Sequence, residues 1–301
     1  MRFRLALPAV LAILAIAPAA PAAGALGPND VPTAGALWGA FPNEPGGAAT
    51  LQQRVGRKLA VINRYVPWNF TNWSAFGPEV RAHQMPLISW SAAPTTNAAA
   101  IAAGHSDAAI RNAALQLKAL GGPILLRPFY EFDQPKGHPR YIGTPAQVIA
   151  AWRRMYTIVR AAGASNVRLV WCPMSFDFAR GVAQHYWPGA AYVDWVGADG
   201  YNFPGATWRS FGTIFASAYA FAVSQHKPMI VAETASPAGD PRTPAWIAGA
   251  GAWTVAHTDL KAVSYFDSTS PKGYNFRLAS NARTLAAFSS WGRMAFFSVV
   301  P

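Results

Sequence analysis

Leu125-Leu126-Arg127-Pro128-Phe129-Tyr130-Glu131-Phe132 reads as a short apolar strand that stops abruptly at a carboxylate. The chain has only four Glu: Glu44, Glu79, Glu131 and Glu233. Two of them, Glu131 and Glu233, end apolar strand-like runs. Outward from residues 124–129 the same kind of run recurs at 36–41, 60–65, 85–91, 167–172, 193–199, 228–233 and 262–267. Helical patterns fill the gaps. Leu51, Val55 and Leu59 follow the first run at helical spacing. Ser106-Asp107 is a good N-cap pair for a helix that ends at Gly121-Gly122. Thr144-Pro145 opens another, with Val148, Ile149, Trp152, Met155, Tyr156 and Val159 as its apolar face and Gly163 at its end. Strands without polar alternation belong to a parallel sheet covered on its outer face. Eight such βα units predict an α/β fold, a (β/α)8 TIM barrel occupying residues 24–301 as one domain. An open doubly wound sheet is the runner-up. No glycine-rich phosphate loop follows the first run, which argues against a nucleotide-binding version.

Composition is consistent with this. Of 301 residues, 52% are hydrophobic and 13% aromatic, ample for one large core. Only 13% are charged, so each carboxylate is informative. Residues 1–23 read as a secretory signal peptide: Arg2 and Arg4, an apolar run from Leu5 to Ile16, then Ala17 to Ala23 with A-x-A cleavage sites. The run is short for a membrane anchor. The protein is therefore expected to be secreted, with no integral membrane segment after cleavage. Cys172 is the sole cysteine, excluding an intramolecular disulfide, and is expected to be a buried packing residue. Formal net charge is +12, two of it from Arg2 and Arg4. A basic exported protein favours anionic surfaces such as wall polymers or acidic polysaccharides. The cations are scattered, so no nucleic-acid partner is expected. The chain is expected to be a monomer that needs no cofactor.

In a TIM barrel the active site lies at the C-terminal ends of the strands. The residues ending the runs are Asn69, Trp90, Glu131, Trp171, Asp199, Tyr201, Glu233 and Asp267. This is a carboxylate-and-aromatic set. It has no His cluster with ligand spacing, so no metal site is expected, and no Gly-x-Ser-x-Gly elbow. Two Glu on the fourth and seventh strands would face each other across the barrel mouth. Glycoside hydrolysis needs that arrangement: one carboxylic acid protonates the departing oxygen while a second carboxylate attacks or activates water. Aromatic rings at the rim suit the C–H faces of sugars. Most of the 12 Trp must nonetheless be core, Trp152 among them.

Arg127-Pro128-Phe129-Tyr130-Glu131-Phe132 resembles the strand-four motif of glycoside hydrolase family 26, the β-mannanase family. Ala151-Trp152-Arg153, Gly163-Ala164-Ser165-Asn166-Val167 and Trp171-Cys172-Pro173 resemble the following helix and strand. Tyr186-Trp187-Pro188-Gly189, Tyr192-Val193-Asp194-Trp195-Val196-Gly197 and Asp199-Gly200-Tyr201-Asn202 form the most specific block. Lys227-Pro228-Met229-Ile230-Val231-Ala232-Glu233 resembles the nucleophile strand. The resemblance implies a (β/α)8 barrel and a retaining enzyme, with Glu131 as general acid/base and Glu233 as nucleophile. It implies that Tyr201 hydrogen-bonds the nucleophile. Trp171, Asp199 and Asn202, with Tyr130, Trp90 and Trp68, are the expected substrate-binding residues. Glu131 should be the less solvated of the pair and hold its proton near neutral pH, while Glu233 stays ionised.

Mannanases of this family usually carry His directly before the acid Glu, where this chain has Tyr130. An Asn-Gly with several Trp normally follows, where this chain has Phe132-Asp133-Gln134-Pro135-Lys136-Gly137. Other members act on mixed-linked glucan or on xylan. The expected function is a secreted retaining endo-β-glycanase acting on mannan, mixed-linked glucan or xylan, with a polysaccharide or oligosaccharide as its partner. The alternative is a non-catalytic carbohydrate-binding or cell-wall-associated barrel.

Overall fold

A computed structural model describes residues 24–301. The expected signal peptide, residues 1–23, lies outside the described residues. Eight parallel strands close into a barrel in sequence order. They are β1 (Leu37–Pro42), β2 (Val61–Pro67), β3 (Met85–Ser91), β4 (Ile124–Pro128), β5 (Val167–Trp171), β6 (Trp195–Tyr201), β7 (Met229–Ala235) and β8 (Leu260–Asp267). β1 pairs with β8 over six residues, from Leu37 opposite Ala262 to Pro42 opposite Asp267, so the sheet has no free edge. Helices cover the outside. Among the described residues, no helix is long and apolar enough to cross a membrane.

The strand runs are apolar on both faces because both faces are buried. Leu37, Val61, Leu87, Leu125, Val170 and Ile230 point inward and pack on one another. The residues between them, such as Trp38, Ile62, Ile88, Leu126, Leu169 and Val231, pack outward against the helices. The strongest helix signal is also the best capped helix. Thr144 accepts a hydrogen bond from Gln147 N while Gln147 bonds back to Thr144 N, and Pro145 occupies the first turn.

Several sequence expectations need correction. Ser106 precedes the helix Asp107–Ala119 but makes no side-chain cap; its hydroxyl instead accepts from Trp68 Nε1 at 3.2 Å. The first helix stops at Val55, closed by left-handed Gly56, so Leu59 lies beyond it. The last helix, expected over 279–288, is Ala282–Gly292, capped by Asn281. β6 starts at Trp195 and runs on to Tyr201. Asp194 lies just before it, its carboxylate accepting from Leu169 N at 2.7 Å. β7 continues past Glu233 to Ala235.

Candidate active site

Above the apolar floor of the barrel the inward-facing positions turn polar. Arg127 is the centre of this layer and is completely buried. It follows Leu125 by two residues on β4, which puts it on the same inward face. Its Nε and Nη2 donate to Ser89 Oγ at 3.0 and 2.6 Å. Its Nη1 donates to Asp199 Oδ1 and Oδ2 at 2.7 and 2.6 Å, and Nη2 also donates to Glu233 Oε1. Ser89 Oγ in turn donates a hydrogen bond to Asn63 Oδ1 at 2.7 Å. One cation thus holds two buried carboxylates that would otherwise repel. Cys172 joins the same layer: its thiol donates to Asp199 Oδ1 at 3.3 Å, so it is buried as expected but bonded to a carboxylate.

Glu233 owes its inward aim to a bulge. Gly197 on β6 pairs with Ile230 on β7, yet Asp199, two residues on, pairs with Glu233, three residues on. Ala232 is the extra residue. Without it the alternation that turns Ile230 inward would turn Glu233 outward. With it, Ala232 and Glu233 both face the barrel axis. Glu131 is aimed by a different device. β4 ends at Pro128, and Phe129 and Glu131 then adopt left-handed backbone with φ of 55° and 56°. For non-glycine residues each such turn costs about 1–3 kcal/mol. Two backbone bonds hold the strained segment: Phe129 N donates to Trp90 O at 3.0 Å and Glu131 N to Cys172 O at 2.9 Å.

These devices bring the carboxylates together. Oxygens of Glu131, Asp199 and Glu233 lie within 4.8 Å of one another. Such a trio has the spacing of a metal site, which the sequence had not suggested. Its positive partners here are side chains, Arg127 on Asp199 and Glu233, and Arg140, whose Nε lies 2.9 Å from Glu131 Oε2. The two glutamates have diverging proton affinities. Burial raises Glu131 from 4.5 to about 7, against the pull of Arg140 and with the help of Glu233's charge. Burial acts on Glu233 too, but Arg127, Arg140 and the hydroxyls of Tyr201 and Tyr65 together carry it below the ordinary carboxylate range. The expectation that Glu131 is the less solvated of the two is corrected: Glu131 is 8% exposed and Glu233 only 3%. The difference comes from bonded partners, chiefly Arg127.

A cleft of about 1190 Å³ opens over this pair. Four of the residues singled out in the sequence line it: Glu131, Glu233, Tyr130 and Tyr201. The Tyr201 hydroxyl donates to Glu233 Oε2. The others do not reach it. Trp171 faces outward and is fully buried, its ring 4.9 Å from Trp187 and its Nε1 donating to Tyr186 O. Trp68 and Trp90 stack on each other at 4.2 Å, outside the barrel wall. Asn202 pins its own loop, bonding Arg209 N and O. Asp199 lies beneath the cleft on Arg127. Of the other strand-end residues, Asn69 is exposed elsewhere and Asp267 accepts from Leu278 N at 2.7 Å. The aromatic wall is made by Phe and Tyr instead of Trp: Phe41, Tyr65, Phe203, Phe266, Tyr274 and Phe276. Phe41, Tyr65 and Phe266 fall on the inward parity of β1, β2 and β8, a signal the sequence carried. Arg140, from a Pro- and Gly-rich loop, carried none.

Comparison with known proteins gives a consistent picture. The sequence profile of "Glycosyl hydrolase family 26" matches residues 62–240. Endoglucanase H of Acetivibrio thermocellus is 31% identical over 271 residues, covering 84% of this chain and 29% of that protein. A beta-1,3-xylanase of Alcaligenes sp is 28% identical over 137 residues, covering 44% of this chain and 27% of that protein. The chain thus spans less than a third of the length of these relatives. Among solved structures, a GH26 β-mannanase from Bacteroides ovatus superposes with a TM-score of 0.64 at 14% identity, over 87% of this chain and 90% of that one. A Cellulomonas fimi endo-β-1,4-mannanase gives 0.65 at 18%, over 87% and 71%. At these identities the superpositions speak for the barrel alone.

Proposed function

Because the chain belongs to glycosyl hydrolase family 26, we propose that it is a retaining endo-β-glycanase in which Glu233 is the nucleophile and Glu131 the general acid/base. The observation that carries this is the spacing of the two carboxylates, within 4.8 Å at the floor of the cleft. Retaining glycosidases hold their two carboxyl groups about 5–5.5 Å apart, whereas inverting ones leave room for a water between them. Glu233, kept ionised by Arg127 and oriented by Tyr201, attacks the anomeric carbon. Glu131 gives its proton to the departing glycosidic oxygen, then takes one from the water that releases the glycosyl–enzyme ester. The transition state carries oxocarbenium character, which the Glu233 carboxylate and the Phe and Tyr wall accommodate. The relatives' names, an endoglucanase and a beta-1,3-xylanase, and the mannanase structures make glucan, xylan and mannan the glycans to test, with mixed-linked glucan as the glucan.

Reducing-sugar release from these three glycans by the wild type and by Glu233→Ala tests the assignment. The variant should lose turnover by 10⁴-fold or so; undiminished hydrolysis would remove Glu233 from the chemistry. Binding of the glycans with no hydrolysis by the wild type would favour a carbohydrate-binding barrel. We also propose that residues 1–23 export the chain and are removed, which N-terminal sequencing of the secreted protein would check.

A further inference from the structure

Arg140 enters the cleft from the loop between β4 and the helix Pro145–Ala161. Its guanidinium carbon lies 4.6 Å from the centre of the Tyr130 ring, which fixes its position beside Glu131. Its Nη1 is buried and, among the described residues, has no acceptor. A buried charged donor without a partner is costly, so the position is suited to an acceptor that arrives with the ligand. Arg140 N donates to His138 Nδ1 at 3.2 Å, which leaves the proton of a neutral imidazole on Nε2. His138, Arg140 and Lys272 all line the cleft. His138 is held below its ordinary value by burial and then by the charges of Arg140 and Lys272, so both cations lie within electrostatic reach of His138.

The charge count decides what fits there. The only carboxylates among the residues lining the cleft are Glu131 and Glu233. Arg127, whose donors are taken up by Ser89, Asp199 and Glu233, is shared by two carboxylates, so Arg127 and Arg140 together balance Asp199 and Glu233, and Lys272 is the cation left over. Glu131 must be protonated to act as an acid, and in that form it no longer neutralises Arg140. The reacting enzyme therefore presents two cations and an imidazole N–H to the glycan, and with Arg127, Arg140 and Lys272 set against Asp199 and Glu233 it carries one positive charge in excess. A sugar hydroxyl could fill one donor but would leave the charge unmatched. A carboxylate satisfies both, and guanidinium binds it through two N–H groups.

We propose that Arg140, His138 and Lys272 form a carboxylate-binding subsite, and that the preferred substrate is an acidic β-glycan with a uronic acid unit next to the scissile bond. This rests on the glycanase reading above. Glucuronoxylan and glucuronomannan, each compared with the same polymer after chemical reduction of its carboxyl groups, make the test. For whichever backbone is cleaved, wild-type kcat/KM should be at least tenfold higher on the acidic form, and added salt should raise KM for that form alone. In Arg140→Gln and in Lys272→Ala the acidic-to-reduced ratio should fall toward one; being a ratio within each variant, it is insensitive to damage to the chemistry common to both forms. Calorimetric binding of the matching oligosaccharides reads the subsite independently of turnover. Equal kcat/KM and equal affinity for the two forms would overturn the subsite. Tighter binding of the acidic form with hydrolysis of neither would instead overturn the glycanase reading while keeping the subsite.

Discussion

Glu131 and Glu233 are the same residue type in one cleft, and what separates them is which arginine each meets. Glu233 touches Arg127, which is wholly buried and held by Ser89, and it also receives the Tyr201 hydroxyl. Glu131 meets Arg140, whose side chain is 32% exposed and whose charge water therefore screens. Burial then dominates at Glu131 and raises it to about 7, while Glu233 falls below the usual carboxylate range. In the proposed mechanism the acid must carry its proton and the nucleophile must have lost its own, so the active form would exist between the two values. The kcat/KM profile should be bell-shaped, declining as pH rises through about 7 and declining on the acid side only below the ordinary carboxylate range. In Glu131→Gln, assayed on an aryl glycoside whose leaving group needs no proton, the alkaline limb should disappear. A limb that persists near 7 would assign it to another group. That both glutamates meet at the barrel mouth was legible from their placement at strand ends, but Arg140 was not, because nothing in a Pro- and Gly-rich loop says where its side chains point.

At the scale of elements, the loop after β4 is tied to the short helix Ser175–Ala179 through two acids. Asp133 and Asp177 are both nearly inaccessible, and Asp133 Oδ1 has no donor among the described residues, so a proton shared with the neighbouring Asp177 carboxyl would satisfy it. Asp133 Oδ2 accepts from Met174 N at 2.8 Å. Burial, then the neighbouring Asp177 charge, raise Asp133 from 3.8 to about 8, with the Met174 N–H opposing. A carboxyl raised in the folded state contributes stability that is fully present below its unfolded value and lost as pH rises through the folded one. The wild type should therefore lose melting temperature between pH 5 and pH 8. Asp133→Asn keeps an acceptor for Met174 N and a donor for Asp177, so it should lose less over the same interval. Parallel slopes for the two proteins would show that Asp133 does not bind this proton. The sequence marked Asp133 as a departure from the mannanase pattern without revealing its partner, since the pairing joins a loop to a helix 44 residues further on. The strands were more legible than their faces. Trp171 and Glu233 both lie near strand ends, but strict alternation turns one outward, and the extra Ala232 turns the other inward. Nothing in the run Pro228–Glu233 announces a bulge.

At the scale of the whole molecule, the eight runs were legible because every strand of a covered barrel is apolar on both faces, and their order in the sheet follows the order in the chain. What closes the bottom of the barrel was not legible, because it comes from opposite ends of the sequence. Val299 packs into the inward-facing cluster with Leu37 and Ala262, and Leu26 and Val31 pack against the same cluster. Ala36 N donates to Phe296 O at 2.9 Å. Gly35, at φ of 72°, lets the two segments touch: a Cβ there would lie 2.1 Å from Phe296 O. Arg168 Nε meets Asp30 Oδ2 at 2.6 Å, and Trp195 Nε1 donates to Asn29 O at 3.2 Å. Residues 24–34 thus belong to the folded barrel, and a signal peptide can be removed without harm only if cleavage falls ahead of them. The A-x-A sites within 17–23 satisfy that condition. A chain starting at residue 24 should melt like the full-length chain. A chain starting at residue 35 loses the partly buried Leu26 and Val31, the Asp30 ion pair and the bond to Trp195. Partial burial of two aliphatic side chains is worth about 2–4 kcal/mol, and for a domain of this size each kcal/mol moves the melting temperature by about 2–4 °C. The shorter chain should therefore melt several degrees lower by circular dichroism while keeping the Glu131–Glu233 site, which lies at the opposite end of the barrel. Equal melting temperatures would mean that the N-terminal segment covers the barrel floor without stabilising it.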